Sequence, residues 1–342
     1  MFGRFLIVAV LLPLALPLLA EEAFYSARVA IADRSDSELT AGIREALSRV
    51  LIRVSGNDEI GQKTGVAAAI MGARDRVARY SYEQEDAQVY LQATFDDVLI
   101  KGILRDSDAT YWAEDRPPVL LWLVVDEPYS RRFATVSQDG TLLMALSDAF
   151  AERGITLRLP LLDLEDAASL SPEMVWQSVT RRIEAASERY GTQHILVGRY
   201  VQLTTGALLA DWLYLDGESQ RREQVQGDVI DPIVFTGVDL AVDAMADRYA
   251  VVLESSPLTG YLSVTVTGVE SYADYTAVMD ILRGLPLLES VSVDEVQGDA
   301  LAVKVTGVSS TDALVRVLPT RSRLGISDEV TPSRLFLHWG RP

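Results

Sequence analysis

After an opening apolar run, the chain passes repeatedly from stretches that alternate apolar and polar positions to stretches whose apolar positions fall at helical spacing. Residues 24–32 alternate and predict a strand. Leu39, Ile43, Leu47, Val50, Leu51 and Val54 then share one helical face. Ser35 and Glu38 stand at capping-box spacing before that face, and Gly56 follows it. An Ala-rich helix over 66–80, a strand over 87–95 and a helix opened by Asp96 and Asp97 complete two strand-then-helix units. They predict a small α+β domain over 21–112, with the proline-containing stretch 112–118 as its exit linker.

Residues 119–125 form an unbroken apolar run of strand length, which suits a central strand covered on both faces. A helix over 141–153, a strand over 155–159, a helix over 172–190 and a strand over 194–201 continue the alternation. That order predicts a βαβαβ sheet with right-handed crossovers in a middle domain over 118–256. Ser171, Pro172 and Gly191 punctuate the helix over 172–190, with Val175, Val179, Ile183 and Ala186 as its buried stripe. Strands over 207–215 and 219–226, joined at Asp216 and Gly217, read as a hairpin, and a long helix over 232–253 closes the block.

The last block, 257–342, contains an internal repeat. The string V-x-V-T-G-V occurs at 264–269 and again at 303–308, with Ser271 and Ser310 at matching distances after the two copies. Each copy reads as a strand passing through Gly into a helix. With strands around Val291 and Val293 and over 334–339, the order becomes βαββαβ, the ferredoxin-like pattern. The expected fold class is therefore α/β and α+β in three small domains.

Composition narrows the chemistry. Asp and Glu number 49 against 31 Lys and Arg, a net charge of -18 that repels phosphate backbones and anionic lipid, and no basic patch interrupts it. The absence of Cys and the presence of two His, His194 and His338, exclude thiol nucleophiles, iron–sulfur clusters and a His-pair zinc centre. No nucleotide-binding or serine-hydrolase string occurs. The expectation is no cofactor and no nucleic-acid partner. Residues 1–20 combine Arg4, an apolar run over 5–19 broken by Pro13 and Pro17, and a terminal Ala20, the shape of a secretory signal. Cleavage near Ala20 would leave a periplasmic product with no membrane span; the alternative is an inner-membrane anchor formed by 5–19.

The segment YWAEDRPPVLLWLVVDE over 111–127 and the segment YGTQHILVGR over 190–199 resemble bacterial exported proteins grouped as domain-of-unknown-function family 2066. That resemblance spans nearly the whole mature chain and implies no activity. The middle block also resembles the N-terminal domain of TolB and related envelope-assembly proteins, which implies a periplasmic scaffold or docking module.

Three side chains are candidates for chemistry. Asp126 and Glu127 lie just past the carboxyl end of the apolar strand, where open α/β sheets place ligand sites, and paired carboxylates there suit acid/base work or a hard cation. In so acidic a chain the favoured reading is that they simply end the strand. His194 opens the strand over 194–201, and with no carboxylate or nucleophile beside it in sequence it reads as structural. The clusters 106–108 and 163–166 lack the Gly and distal Glu of a calcium loop and read as solvated turns. Trp112, Trp122, Trp176 and Trp212 read as core. The favoured expectation is a non-enzymatic interaction module for envelope proteins, without catalytic, cofactor or metal residues. The alternative is a carboxylate- or cation-dependent hydrolase centred on Asp126.

Overall fold

The computed structural model describes residues 23–253, 261–285, 288, 290–308, 310–318, 323–331 and 334–340, so the expected signal over 1–20 lies outside the described residues. The described chain is a mixed α/β structure. Its first sheet holds β1 (Ser26–Ile31), β2 (Val77–Glu85) and β3 (Gln88–Phe95), antiparallel in the order β1-β3-β2. Helix α1 (Asp36–Ser55) lays Ile43, Leu47, Val50 and Leu51 into the same core as Val29, Leu91 and Ala93. Its start is capped by the Ser35 hydroxyl, which accepts from the Glu38 N–H. Gly56 closes it at φ 72°, a conformation that costs glycine least.

The helix expected over 66–80 is shorter. Helix α2 (Thr64–Met71) stops at Gly72, a single 3-10 turn covers Ala73–Asp75, and β2 begins at Val77. β2 is an edge strand whose side chains are mostly exposed, so it carries none of the apolar alternation that marks a half-buried strand. Pairing with β3 holds it. Helix α3 (Asp97–Asp106), capped by Asp96, and a short β4 (Thr110–Tyr111) end this part.

The second sheet runs β10-β9-β8-β5-β6, with β7 on the same edge of β5 as β6. Its strands are β5 (Val119–Glu127), β6 (Ser130–Phe133), β7 (Leu157–Arg158), β8 (Ile195–Gln202), β9 (Leu208–Leu215) and β10 (Gln220–Gly227). β5 and β8 are parallel, with Trp122 beside Val197. Helices α4 (Val136–Glu152), α5 (Leu164–Ser169), α6 (Pro172–Trp176), α7 (Thr180–Ser187) and α8 (Ile230–Tyr249) complete the block. Leu121, Leu123 and Trp212 pack in a core with side chains of α4 and α8, whereas Leu120, Trp122 and Val197 pack with Val175 and Ile183. β5 is thus buried on both faces, as its unbroken apolar run requires.

Two expectations change here. The helix over 172–190 is two helices and a 3-10 turn (Glu188–Tyr190), because Ser178 turns left-handed at φ 54°. Val179 sits at this break and is exposed, so the apparent stripe is continuous in spacing only. The strand over 155–159 shrinks to β7; Pro160 follows it closely and has no N–H with which to extend the ladder.

β11 (Val251–Val252) pairs with β4, joining the exit of α8 to the end of the first block. The third sheet contains β12 (Leu262–Thr267), β13 (Ser290–Gln297), β14 (Ala300–Thr306), β15 (Leu324–Thr331) and β16 (Arg334–Trp339), ordered β13-β14-β12-β16-β15. Helices α9 (Tyr272–Arg283) and α10 (Thr311–Val317) contribute Val278, Leu282 and Leu314 to the core that also holds Val264, Val266, Val303 and Val305. The repeat is structural: Gly268 and Gly307 both have positive φ, and Ser271 and Ser310 both cap the helix that follows.

The closing strand departs from the ferredoxin-like pattern. A ferredoxin-like sheet would set an antiparallel strand beside β12, whereas β16 runs parallel to it and β15 lies outside β16. β15 and β16 form a hairpin, and β16, which buries Leu335, Leu337 and Trp339, occupies the inner position.

The linker is anchored by Arg116, which is 8% exposed. Its guanidinium donates to the main-chain carbonyls of Arg53 at 2.7 Å, Arg153 at 2.5 Å, Trp112 at 2.8 Å and Ala113 at 3.0 Å. Arg53 lies in the last turn of α1 and Arg153 caps α4. The negative ends of two helix dipoles therefore face a buried cation. Burial still lowers its pKa to about 9.

Candidate functional site around His194 and Tyr249

Successive residues of a strand point to opposite faces, and this separates the two acidic candidates. The Asp126 carboxylate accepts from Arg131 Nε at 2.9 Å, and Arg131 also donates to Glu173 at 2.6 Å. The Glu127 carboxylate accepts from Arg132 Nε at 2.6 Å, and Arg132 reaches both oxygens of Asp139. Each carboxylate belongs to a separate ion-pair group on the β5–β6 hairpin. They do not converge. Among the described residues, no group of three or more His, Asp or Glu is placed to hold a metal ion.

His194 has a more elaborate setting. It is 4% exposed, with Nδ1 at 2.6 Å from the Tyr214 hydroxyl of β9 and Nε2 at 2.9 Å from the Tyr249 hydroxyl at the end of α8. Burial, and next the Arg248 charge, lower its pKa to about 4. The ring is therefore neutral at neutral pH, and one nitrogen donates while the other accepts. Burial raises the pKa of both tyrosines, so their hydroxyls stay protonated. Both ring nitrogens thus lie within hydrogen-bond distance of neutral hydroxyls.

Tyr249 also stacks on Trp112, with ring centroids 6.3 Å apart. Tyr249 lines a cleft of about 630 Å³ together with Glu184, Glu188, Gln193 and His194. It also lines a cavity of about 460 Å³ together with Tyr25, Lys101, Tyr111, Trp112 and Leu285. Tyr249 and Pro117 belong to both walls. Of this group the sequence singled out His194 and Trp112. Tyr214 and Tyr249 are distant from His194 along the chain, and their meeting follows from β8–β9 pairing and the return of α8.

Of the clusters expected to be solvated turns, residues 163–166 are a correction. Asp166 is 1% exposed and accepts from Arg189, Tyr190 and the Leu162 N–H, while Asp163 caps α5 and also bonds Arg189. The two carboxylates tie one loop to the 3-10 turn at Glu188–Tyr190. In the other cluster, the carbonyls of Ser107 and Asp108 accept from Lys63. Trp112, Trp122 and Trp212 are core residues, whereas Trp176 is part-buried, with the Arg131 guanidinium 4.2 Å from its ring centre. Among the described residues, no helix is long and apolar enough to cross a membrane.

The geometry defines a mixed α/β protein in which the aromatic side chains of Trp112, His194, Tyr214 and Tyr249 meet. A family model described as a domain of unknown function, DUF8605, matches residues 20–113, the stretch that contains β1 through β4. No curated protein matches the chain.

Proposed function

We propose that this chain is a periplasmic, non-enzymatic interaction module that receives envelope partners by strand addition. The observation behind this reading is that three sheets end on a strand with mostly exposed side chains: β2, β10 and β13. Terminal strands offer main-chain donors and acceptors to an extended partner segment. The separate ion pairs of Asp126 and Glu127, and the neutral hydroxyl partners of both His194 nitrogens, support a role without a catalytic side chain. The apolar run over 5–19 supports export, and the resemblance to exported family 2066 and to the TolB N-terminal domain agrees with an envelope role.

The test is site-specific photocrosslinking in intact cells from Ser81 on β2, Glu223 on β10 and Asp294 on β13, together with mass measurement of the fractionated protein. The expected outcome is a periplasmic product that starts near Glu21 and forms a discrete crosslinked species from at least one edge. A product that crosslinks to no other protein from any edge, or that resides in the cytoplasm, overturns the reading.

A further inference from the structure

We infer that the cavity of about 460 Å³ beside Tyr249 binds a small molecule that joins an apolar or aromatic ring to an oxyanion such as a carboxylate. Its volume falls within the range of about 300 to 1,000 Å³ that suits small ligands.

A surplus hydrogen-bond donor points to the oxyanion. Tyr25 and Tyr111 are 5% and 2% exposed and both line the cavity, with their hydroxyl oxygens 3.3 Å apart. Each hydroxyl has one hydrogen to donate. Their mutual bond uses one, so a buried phenol proton remains for an acceptor that enters the cavity. Lys101, held by Asp97 at 2.8 Å, has its ammonium 6.0 and 5.9 Å from the centres of the same two rings. Arg248 and Arg316 also line the cavity, as do Glu114 and Asp115. Among the described lining residues, three cations, Lys101, Arg248 and Arg316, stand with two carboxylates.

The rest of the wall calls for a ring. Trp112 is stacked against Tyr249, and Leu285, Val315, Val317 and Leu318 complete an apolar side. A ring bound there would rest on aromatic and aliphatic carbon while its oxyanion met the phenol proton and the Lys101 charge.

The test uses the full mature protein with 2-naphthoate and its uncharged counterpart 2-naphthalenemethanol, followed by calorimetry and tryptophan fluorescence. The expected result is single-site binding of the naphthoate, with the alcohol about tenfold weaker or worse. The Tyr25→Phe/Tyr111→Phe double variant should bind naphthoate about tenfold less tightly, and Ala113→Leu, which adds carbon to the wall, should abolish binding. If the double variant does not fold, Lys101→Met is substituted for it and must weaken the naphthoate while leaving the alcohol unchanged. No binding at millimolar probe, equal affinity for the two probes, or full affinity in the folded variants overturns the assignment.

Discussion

The guanidinium of Arg116 donates to the main-chain carbonyl of Arg53 at 2.7 Å, so a linker side chain holds the last turn of a helix that lies 63 residues earlier in the chain. Arg116→Met would strip a charged donor from four carbonyls at once and is expected to cost about 3 kcal/mol. Arg116→Lys should recover only part, because one ammonium cannot reproduce the planar fork. Urea unfolding midpoints check both. A midpoint unchanged in Arg116→Met would show that the carbonyls find other donors.

Acid should weaken the middle block through His194. Its folded pKa, about 4, lies below the ordinary value of 6.5, so the unfolded chain takes up the proton first. The stabilisation from keeping this ring neutral is complete above 6.5 and is lost as pH falls toward about 4, a loss of about 3 kcal/mol. His194→Gln cannot titrate and should flatten that part of the stability curve. Denaturation at pH 7 and near pH 4.5 in both proteins measures it. Parallel curves would refute the assignment.

Val305 pairs with Leu262 on one side and Val291 on the other and is fully buried. Val305→Asp would place a carboxylate in that core and is expected to cost about 4 kcal/mol, melting the third sheet. Fluorescence of Trp339, which lies in the same core, reports it. An unaltered thermal transition would contradict the register.

Asp126→Asn, Glu127→Gln and His194→Ala should each leave the cellular role nearly intact where folding survives. The two carboxylates sit in part-exposed ion pairs, whose loss costs about 1 kcal/mol or less. Complementation of a deletion strain by the folded variants is the measurement. Complete failure of a folded Asp126→Asn protein would shift the reading to the carboxylate-dependent hydrolase.

Legibility followed the range of each interaction. The caps at Ser35, Asp96, Ser171, Ser271 and Ser310 involve a backbone N–H only three residues on, so neighbouring residues announce them. The buried strand β5 declared itself by its apolar run. β2 did not, because an edge strand has little to bury, and the break at Ser178 did not, because φ is invisible to hydrophobic spacing. The site was the least legible part. His194 could be singled out as a residue, but the tyrosines that bond it arrive from another strand and from the far end of a long helix.

The open edges also bear on how the protein behaves among copies of itself. Among the described residues no further strand pairs with the outer side of β2, β10 or β13, and such an edge suits a second molecule of the same chain as well as it suits a partner. Arg221, Arg222 and Glu223 on β10, Glu83 and Glu85 on β2 and Asp294 and Glu295 on β13 make such self-pairing costly by burying or opposing charge. The net charge of -18 adds repulsion at longer range. That repulsion fades as pH approaches the isoelectric point near 4.6 and as salt screens it. The concentration and acidity at which copies of the protein stay apart are then set by this repulsion together with the acid-dependent stability of the fold.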